Sequence, residues 1–252
     1  MDICSQAGCI VKAFLLAAGH GTRLRPLTDR CPKCLLPIRG TPMLDIWIEK
    51  CRGLGIREVL VNVHSHAEQV RQFVSRRKTG VRVEVVEEPT LLGSAGTLRA
   101  NAAWVAGEEL FWVFYADVLT NSDLRTMMAT HLHKRMLATL GLYRVPDPSR
   151  CGIVKVGHDD IIEAFVEKPR VPESDLAFAG LMIGTPALFP LIPERLPSDI
   201  GFHLLPLLAG KMAAHHITDY LVDIGTLETY QHAQRTWPGT SFRETSDELQ
   251  LR

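Results

Sequence analysis

The sequence of 252 residues has no net charge and no uninterrupted apolar run long enough to span a membrane. Its 28 Lys and Arg residues balance 28 Asp and Glu residues, so it lacks the excess positive charge that attracts nucleic acid or an anionic membrane. The charge-free stretch 177–193 contains three prolines, which would interrupt a membrane-spanning helix. We therefore expect no nucleic-acid partner and no membrane partner.

Cysteine is also sparse, with six residues scattered along the chain. A disulfide scaffold needs a denser set, so reduced thiols and a cytoplasmic location are expected. Hydrophobic residues make up 46% of the sequence and charged residues 22%, which is typical of a folded protein and too apolar for a disordered one.

Apolar runs alternate with helical patterns through the first half of the chain. Runs typical of buried strands cover residues 10–17, 58–63 and 110–115. Thr41-Pro42 has the features of a helix start, a capping hydroxyl followed by proline. Alternating strands and helices predict an α/β fold with a mixed, mostly parallel sheet that is covered on both faces.

The second half has shorter strands with more proline and glycine, which we interpret as antiparallel additions to the same domain. Residues after Pro238 have no apolar period. The predicted organisation is an N-terminal extension at 1–9, one domain at 10–237 and a flexible tail at 238–252.

The segment 15–37, LLAAGHGTRLRPLTDRCPKCLLP, joins a buried strand to small residues, glycines and cations. Glycines at positions 19 and 21 let backbone N–H groups approach an anion closely. The side chains of Arg23 and Lys33 could neutralise a polyphosphate.

Two common phosphate loops do not match this segment. Leu24 stands where a dinucleotide-binding fingerprint needs its third glycine, and no Gly-Lys-Ser/Thr triplet of a Walker A loop occurs in the chain.

The segment instead resembles the signature of the sugar-1-phosphate nucleotidyltransferases, also called NDP-sugar pyrophosphorylases. It contains Ala-Ala-Gly-x-Gly-Thr-Arg-Leu-x-Pro-Leu-Thr followed by Pro-Lys-x-Leu-x-Pro. Further blocks stand in the order of that family, and together they cover about residues 10–237. These blocks are Leu-Gly-Ser-Ala-Gly-Thr at 92–97, Asp117, Phe-Val-Glu-Lys-Pro at 165–169, Ala-Gly at 179–180 and Asp-Ile-Gly-Thr at 223–226.

The resemblance implies a Rossmann-like three-layer α/β/α sandwich that is a monomer or a homodimer. It implies a reaction in which a sugar 1-phosphate attacks the α-phosphorus of a nucleoside triphosphate (NTP), giving an NDP-sugar and pyrophosphate. Both substrates are small molecules, and the implied cofactor is Mg²⁺. The chain is most similar to short members of the mannose-1-phosphate guanylyltransferase type.

The resemblance also implies the site residues. The catalytic residues would be Arg23, Lys33, Asp117, Lys168 and Asp223, with Asp117 and Asp223 as metal ligands. The nucleotide site would contain Leu16, Ala17, Ala18, Gly19, Gly21, Thr22, Arg23, Lys33, Glu88, Gly93, Ser94 and Gly96. The sugar-phosphate site would contain Gly152, Glu167, Lys168 and Gly180.

The position of Asp117 fits a metal ligand independently of the family. It follows the apolar run 110–116, which places it at the carboxyl end of a strand, where ligands lie in open α/β sheets. Mg²⁺ prefers carboxylate oxygens together with substrate phosphate oxygens, so two aspartates are enough.

The identity of the base is predicted from residues 88–96. A carboxylate accepts hydrogen bonds only, and guanine presents two adjacent N–H donors, so a Glu88 that faces the base edge would favour GTP. Gly93 and Gly96 would let the backbone approach a planar ring. UTP or another NTP with an amino-sugar 1-phosphate is the alternative.

Two other kinds of protein are compatible with parts of this pattern. A catalytically silent relative could bind a nucleotide sugar as a regulatory module, although it need not keep all five catalytic residues. A nicotinamide-dependent dehydrogenase would need an acidic residue after the second strand, and Val61-Asn62-Val63 offers none.

Overall fold

The computed structural model describes residues 12–77 and 79–240. The predicted extension at 1–9 and residues 241–252 of the predicted tail lie outside this part of the chain. Its strands are β1 (Lys12–Leu16), β2 (Pro37–Ile38), β3 (Thr41–Pro42), β4 (Glu58–Val63), β5 (Arg82–Glu87), β6 (Phe111–Tyr115), β7 (Val118–Thr120), β8 (Ala138–Arg144), β9 (Gly152–Val156), β10 (Ile162–Glu167), β11 (Leu176–Gly184), β12 (Met212–His216) and β13 (Leu221–Asp223). Its α-helices are α1 (Met43–Gly53), α2 (Ala67–Ser75), α3 (Ser94–Ala100), α4 (Arg125–Lys134) and α5 (Leu227–Thr236).

Nine of these strands form one mixed sheet. Its parallel half runs in the order β5-β4-β1-β6, and β6 pairs antiparallel with the long strand β11. The other edge of β11 pairs with β8, which pairs with β12, while the first part of β11 meets the β9–β10 hairpin. The chain crosses from one side of β1 to the other between β5 and β6. In open α/β sheets such a crossing opens a ligand crevice at the carboxyl ends of the strands.

Side chains of β1 and β6 alternate between two hydrophobic cores, one on each face of the sheet. Ala13, Leu15 and Trp112 belong to the first core, whereas Phe14 and Val113 belong to the second. Helices α1, α2 and α4 cover the first core, and α3 covers the second with short 3₁₀ segments. This alternation gives the three layers.

A separate antiparallel pair, β7 and β13, lies beside the main sheet. Leu119 of β7 and Ile224, directly after β13, are buried in a third core with Trp237. The indole N–H of Trp47 on α1 donates a hydrogen bond to the Val118 carbonyl at 3.0 Å. These contacts fix the strand pair, and α5 behind it, against the main domain.

The predicted fold class is confirmed, and the predicted strand at 58–63 coincides with β4. The predicted helix start is displaced, because Thr41 and Pro42 form strand β3 and α1 begins at Met43 without a side-chain cap. The domain bounds stay predictions. Within the described ranges, no helix has both the length and the apolar character needed to cross a bilayer.

Candidate active site

A cavity of about 590 Å³ opens beside the carboxyl ends of β6 and β10. Its position agrees with the usual place of ligands in open α/β sheets. Seven residues that the sequence predicts for catalysis or substrate binding line it, namely Arg23, Asp117, Gly152, Glu167, Lys168, Gly180 and Asp223.

The pairing of β7 with β13 brings the two predicted metal ligands together. Asp223 ends β13 opposite Val118, and the Ile224 N–H donates a hydrogen bond to the Asp117 carbonyl at 2.8 Å. Asp223 is exposed to the cavity, and partial desolvation by the surrounding protein together with the nearby negative charge of Asp117 raises its pKa to about 6. The two carboxylates therefore concentrate negative charge at one point of the cavity.

Two predicted cations border this aspartate pair. Lys33 Nζ lies 2.6 Å from Asp117 Oδ2, and the Lys33 side chain is only 12% exposed. A Cβ atom at Gly225 would lie 2.9 Å from Asp223 Oδ1 and 3.2 Å from Arg23 Nη2. Because Gly225 has no side chain, the Asp223 carboxylate and the Arg23 guanidinium share the space above it.

The donor set at the aspartate pair fits a divalent metal ion. Asp117 and Asp223 offer carboxylate oxygens, the ligands that Mg²⁺ prefers. No cluster of three or more acidic, histidine or cysteine side chains suited to a metal occurs in the described part of the chain. The protein would thus supply two ligands, and substrate phosphates and water would supply the others.

Glu167 sits in a groove that two glycines keep open. A Cβ atom at Gly152 would lie 2.6 Å from Glu167 Oε2, and one at Gly201 would overlap the same oxygen. Burial raises the pKa of Glu167, although Lys168, whose Nζ lies 3.8 Å from Oε1, acts in the opposite direction. No described side chain donates a hydrogen bond to this carboxylate, so it can accept bonds from a hydroxylated ligand.

Gly180 lies where the register of β11 shifts, between Phe178 and Met182. It has a φ of +69°, and a Cβ atom there would lie 3.0 Å from the Cβ of Tyr115. The Phe178 and Tyr115 rings meet edge to face with centroids 5.8 Å apart. One wall of the cavity is therefore aromatic, and it needs glycine at this position.

The predicted phosphate loop follows β1, which ends at Leu16. The Ala17 N–H donates to Asn62 Oδ1 at 2.8 Å, whereas the next four N–H groups, from Ala18 to Gly21, donate to no other residue of the described ranges. Thr22 then begins a 3₁₀ turn. A row of free N–H groups is suited to bind phosphate.

This loop borders a smaller cavity of about 170 Å³. Of the predicted residues, Ala17, Gly19 and Lys33 line it. Its wall also includes side chains that the sequence did not identify, namely His20, Arg25, Thr28, Asp29, Ser65 and His66.

Glu88, which is predicted to lie at the base edge, is buried among internal hydrogen-bond donors. Glu88 is only 3% exposed, and its Oε1 accepts hydrogen bonds from Asn62 Nδ2 at 2.9 Å and from the Thr97 hydroxyl. Its Oε2 accepts from the Leu92 N–H at 3.1 Å. These internal bonds show that Glu88 anchors the surrounding loops, and its role at the base edge stays a prediction.

Gly93 and Gly96 are required for internal packing, and their predicted role beside the base stays a prediction. A Cβ atom at Gly93 would overlap the Ser198 carbonyl oxygen, and one at Gly96 would lie 2.8 Å from a methyl carbon of Leu196. Ser94 donates its hydroxyl to Asp199 Oδ2 at 2.9 Å. These residues therefore dock the start of α3 against the segment 196–200, and none of them lines either cavity.

Part of the large cavity was missed by sequence reasoning. The residues concerned include Tyr143, Arg150, Asp199, Gly201, Phe202, Thr226 and Glu228. No motif marks the segment around Asp199, so only the folded contacts reveal it. Thr226 could have been found, because it belongs to the Asp-Ile-Gly-Thr block and caps α5 by accepting a hydrogen bond from the Thr229 N–H.

The chain is similar to known proteins in both sequence and fold. The sequence model of the nucleotidyl transferase family matches residues 12–238. The mannose-1-phosphate guanylyltransferase of Mycobacterium tuberculosis is 32% identical over 225 residues, which cover 87% of this chain and 62% of that protein. A UTP–glucose-1-phosphate uridylyltransferase of Synechocystis is 31% identical over 243 residues, which cover 89% of this chain and 63% of that protein.

A crystal structure from Bacillus anthracis, of a protein assigned as a glucose-1-phosphate thymidylyltransferase, superposes with a TM-score of 0.81 at 25% identity. The superposition covers 89% of this chain and 94% of that one. The chain spans about six tenths of the length of the curated relatives it matches.

Replacing Gly93 by alanine should destabilise the protein by about 2–5 kcal/mol. Two costs add here, the strain of a positive φ in a residue with a side chain and the overlap of the new methyl group with Ser198. Gly210→Ala is the matched control, since Gly210 has a φ of +75° but open space around it, and it should cost about 1–2 kcal/mol. Urea denaturation of both variants measures the difference. Equal losses would show that the contact with Ser198 is unimportant.

Replacing Asp223 by asparagine should stabilise the ligand-free protein at about pH 8. Because the pKa of Asp223 is raised on folding, protonation of this side chain favours the folded protein. This stabilisation is complete below pH 3.8, the ordinary pKa of aspartate, and is lost as the pH rises through about 6. Asparagine removes the charge, so we expect a gain on the order of 1 kcal/mol after allowance for screening in the open cavity.

The gain should shrink at about pH 5, where Asp223 of the wild type is protonated. Thermal unfolding in the presence of a chelator measures the gain in stability at both pH values. The control is Asp159→Asn at an exposed position, which should change the stability at neither pH. A gain of the same size at both pH values would contradict the assigned repulsion.

Proposed function

The chain belongs to the nucleotidyl transferase family, and from that premise we propose that it transfers a nucleotidyl group from an NTP to a sugar 1-phosphate. The observation that carries the proposal is the meeting of Arg23, Lys33, Asp117 and Asp223 at one end of a cavity that also contains Lys168. This set can hold two polyanions side by side, which is what the reaction requires.

The reaction needs little covalent chemistry from the protein. An oxygen of the sugar phosphate forms a bond to the α-phosphorus, and the bond from that phosphorus to the bridging oxygen of pyrophosphate breaks. The nucleophile is already an anion, so no strong general base is needed. The barrier is lowered by positioning and by neutralising charge as it develops.

Each side chain then has a defined task. The free N–H groups from Ala18 to Gly21, with Arg23, hold the β- and γ-phosphates. Lys33, fixed by its ion pair with Asp117, is positioned to meet phosphate oxygens near the reacting phosphorus. Lys168 binds the sugar phosphate, and Glu167 accepts hydrogen bonds from sugar hydroxyls.

Asp117 and Asp223 would hold Mg²⁺ in this proposal. When bound, the ion neutralises phosphate oxygens and orients them. The large cavity contains five acidic side chains, Asp117, Glu167, Asp199, Asp223 and Glu228, against three cations, Arg23, Arg150 and Lys168. A further cation is therefore needed before two polyanions can enter.

We further propose GTP as the nucleotide and a mannose-type sugar 1-phosphate as the acceptor. The support comes from relatives named mannose-1-phosphate guanylyltransferase, which are 30–32% identical. The alternatives are a UTP-dependent enzyme and a silent nucleotide-sugar-binding regulator. We also propose that the protein is cytoplasmic and that it is a monomer or a homodimer.

Pyrophosphate release should test the activity directly. Purified protein with Mg²⁺ is assayed against a matrix of GTP, UTP, CTP and dTTP with hexose, heptose and amino-sugar 1-phosphates. We expect GTP with mannose 1-phosphate to give the highest kcat/KM. Higher turnover with UTP or dTTP would contradict the guanine assignment, and no turnover with any pair would favour the silent regulator.

The matched variants are Asp223→Asn and Asp159→Asn. The first removes a proposed metal ligand without removing volume, and its turnover should fall by about 10²-fold or more. The second changes an exposed aspartate outside the cavity and should leave turnover as in the wild type.

A further inference from the structure

The large cavity contains a cation that the family resemblance does not assign. Three basic residues line it, Arg23, Arg150 and Lys168. Arg150 makes no ion pair or hydrogen bond through its guanidinium with another residue of the described chain. By contrast, the nearby Arg144 is paired with Asp175 and lies outside the cavity.

The β9–β10 hairpin places Arg150 beside Lys168. Arg150 ends the 3₁₀ turn Pro148–Arg150, two residues before the first residue of β9, and Lys168 directly follows the last residue of β10. The end residues of these strands, Gly152 and Glu167, are paired, and the Lys168 N–H donates to the Cys151 carbonyl at 2.9 Å. Both cations therefore stand at the same rim of the cavity.

The residue between Arg150 and β9 shows how close this rim is to the acidic groups. Cys151 lines the large cavity together with Glu167, Asp117 and Asp223. Arg150 therefore faces the same cavity as the aspartate pair and the carboxylate proposed to hold the sugar, where the phosphate of a sugar 1-phosphate would bind.

We infer that Arg150 is a second binding residue for the phosphate of the sugar 1-phosphate, acting together with Lys168. This inference rests on the proposed function. A guanidinium can donate two parallel hydrogen bonds to a phosphate, which an ammonium cannot. Lys168 interacts with Glu167 and lies 5.5 Å from the Phe202 ring centre, so it shares its charge with other groups. The Arg150 guanidinium has no ion pair with another described residue, so its charge is available to the sugar phosphate dianion.

We assign Arg150 to the sugar phosphate and not to the triphosphate because of its position in the fold. Of the predicted triphosphate groups, Lys33 and the loop after β1 border the smaller cavity, which Arg150 does not line, whereas Arg23 lines the large cavity as Arg150 does. Arg150 belongs instead to the hairpin that carries Glu167 and Lys168.

Steady-state kinetics of Arg150→Gln test the inference. The KM for the sugar 1-phosphate should rise about tenfold or more, while the KM for the NTP should stay within about twofold of the wild type. Arg150→Lys should recover part of the loss, since it restores the charge without the fork. Arg170→Gln is the matched control, because Arg170 is an exposed arginine nearby that does not line the cavity.

An unchanged KM for the sugar 1-phosphate in Arg150→Gln, with an active wild type, would overturn the inference and leave the proposed function intact. An equal rise in both KM values would overturn it as well, since that pattern shows a general loss of charge.

Calorimetric titration with mannose 1-phosphate separates this result from a failure of the proposed function. If the wild type turns over no substrate pair, tighter binding of mannose 1-phosphate by the wild type than by Arg150→Gln would still support the inference. Equal binding by both proteins, or binding by neither, would overturn it. Unphosphorylated mannose is the control ligand and should not distinguish the two proteins.

Discussion

The site depends on holding two negative charges together. Asp117 lies in the turn before β7 and Asp223 ends β13, and the repulsion between their carboxylates contributes to the raised pKa of Asp223. The β7–β13 pairing and the third core, which ends at Trp237, keep them close in spite of that repulsion. Electrostatic preorganisation of this kind costs folding free energy and gains it back when a cation and phosphates bind. The surrounding cations, Lys33 above all, limit the cost.

The segment around Asp199 links α3 to the large cavity. The Asp199 carboxylate accepts hydrogen bonds from the Ser94 hydroxyl and from the N–H groups of Gly201 and Phe202. Ser94 begins α3, whereas Gly201 gives room to the Glu167 carboxylate in the cavity. One short stretch of chain is therefore held by α3 at one end and shapes the cavity at the other.

The fold was predictable because its central strands are buried on both faces. Such strands appear in the sequence as continuous apolar runs, and the run at 58–63 matches β4. The glycine loop was recognisable for a local reason too, since glycines and cations lie within one short segment. The internal hydrogen bonds of Glu88 were not predictable, because only the fold brings the donors Asn62 and Thr97 to its carboxylate. Arg150 was missed for the same reason, as its neighbour Lys168 comes from another strand.

A crystal structure with a non-hydrolysable GTP analogue and Mg²⁺ is the most direct measurement of how this site binds its charged ligands. We expect the metal ion to be bound by the carboxylates of Asp117 and Asp223. We also expect triphosphate oxygens within hydrogen-bonding distance of Arg23, Lys33 and the N–H groups that follow β1. A triphosphate bound away from these groups, or a metal ion that contacts neither aspartate, would contradict the proposed site.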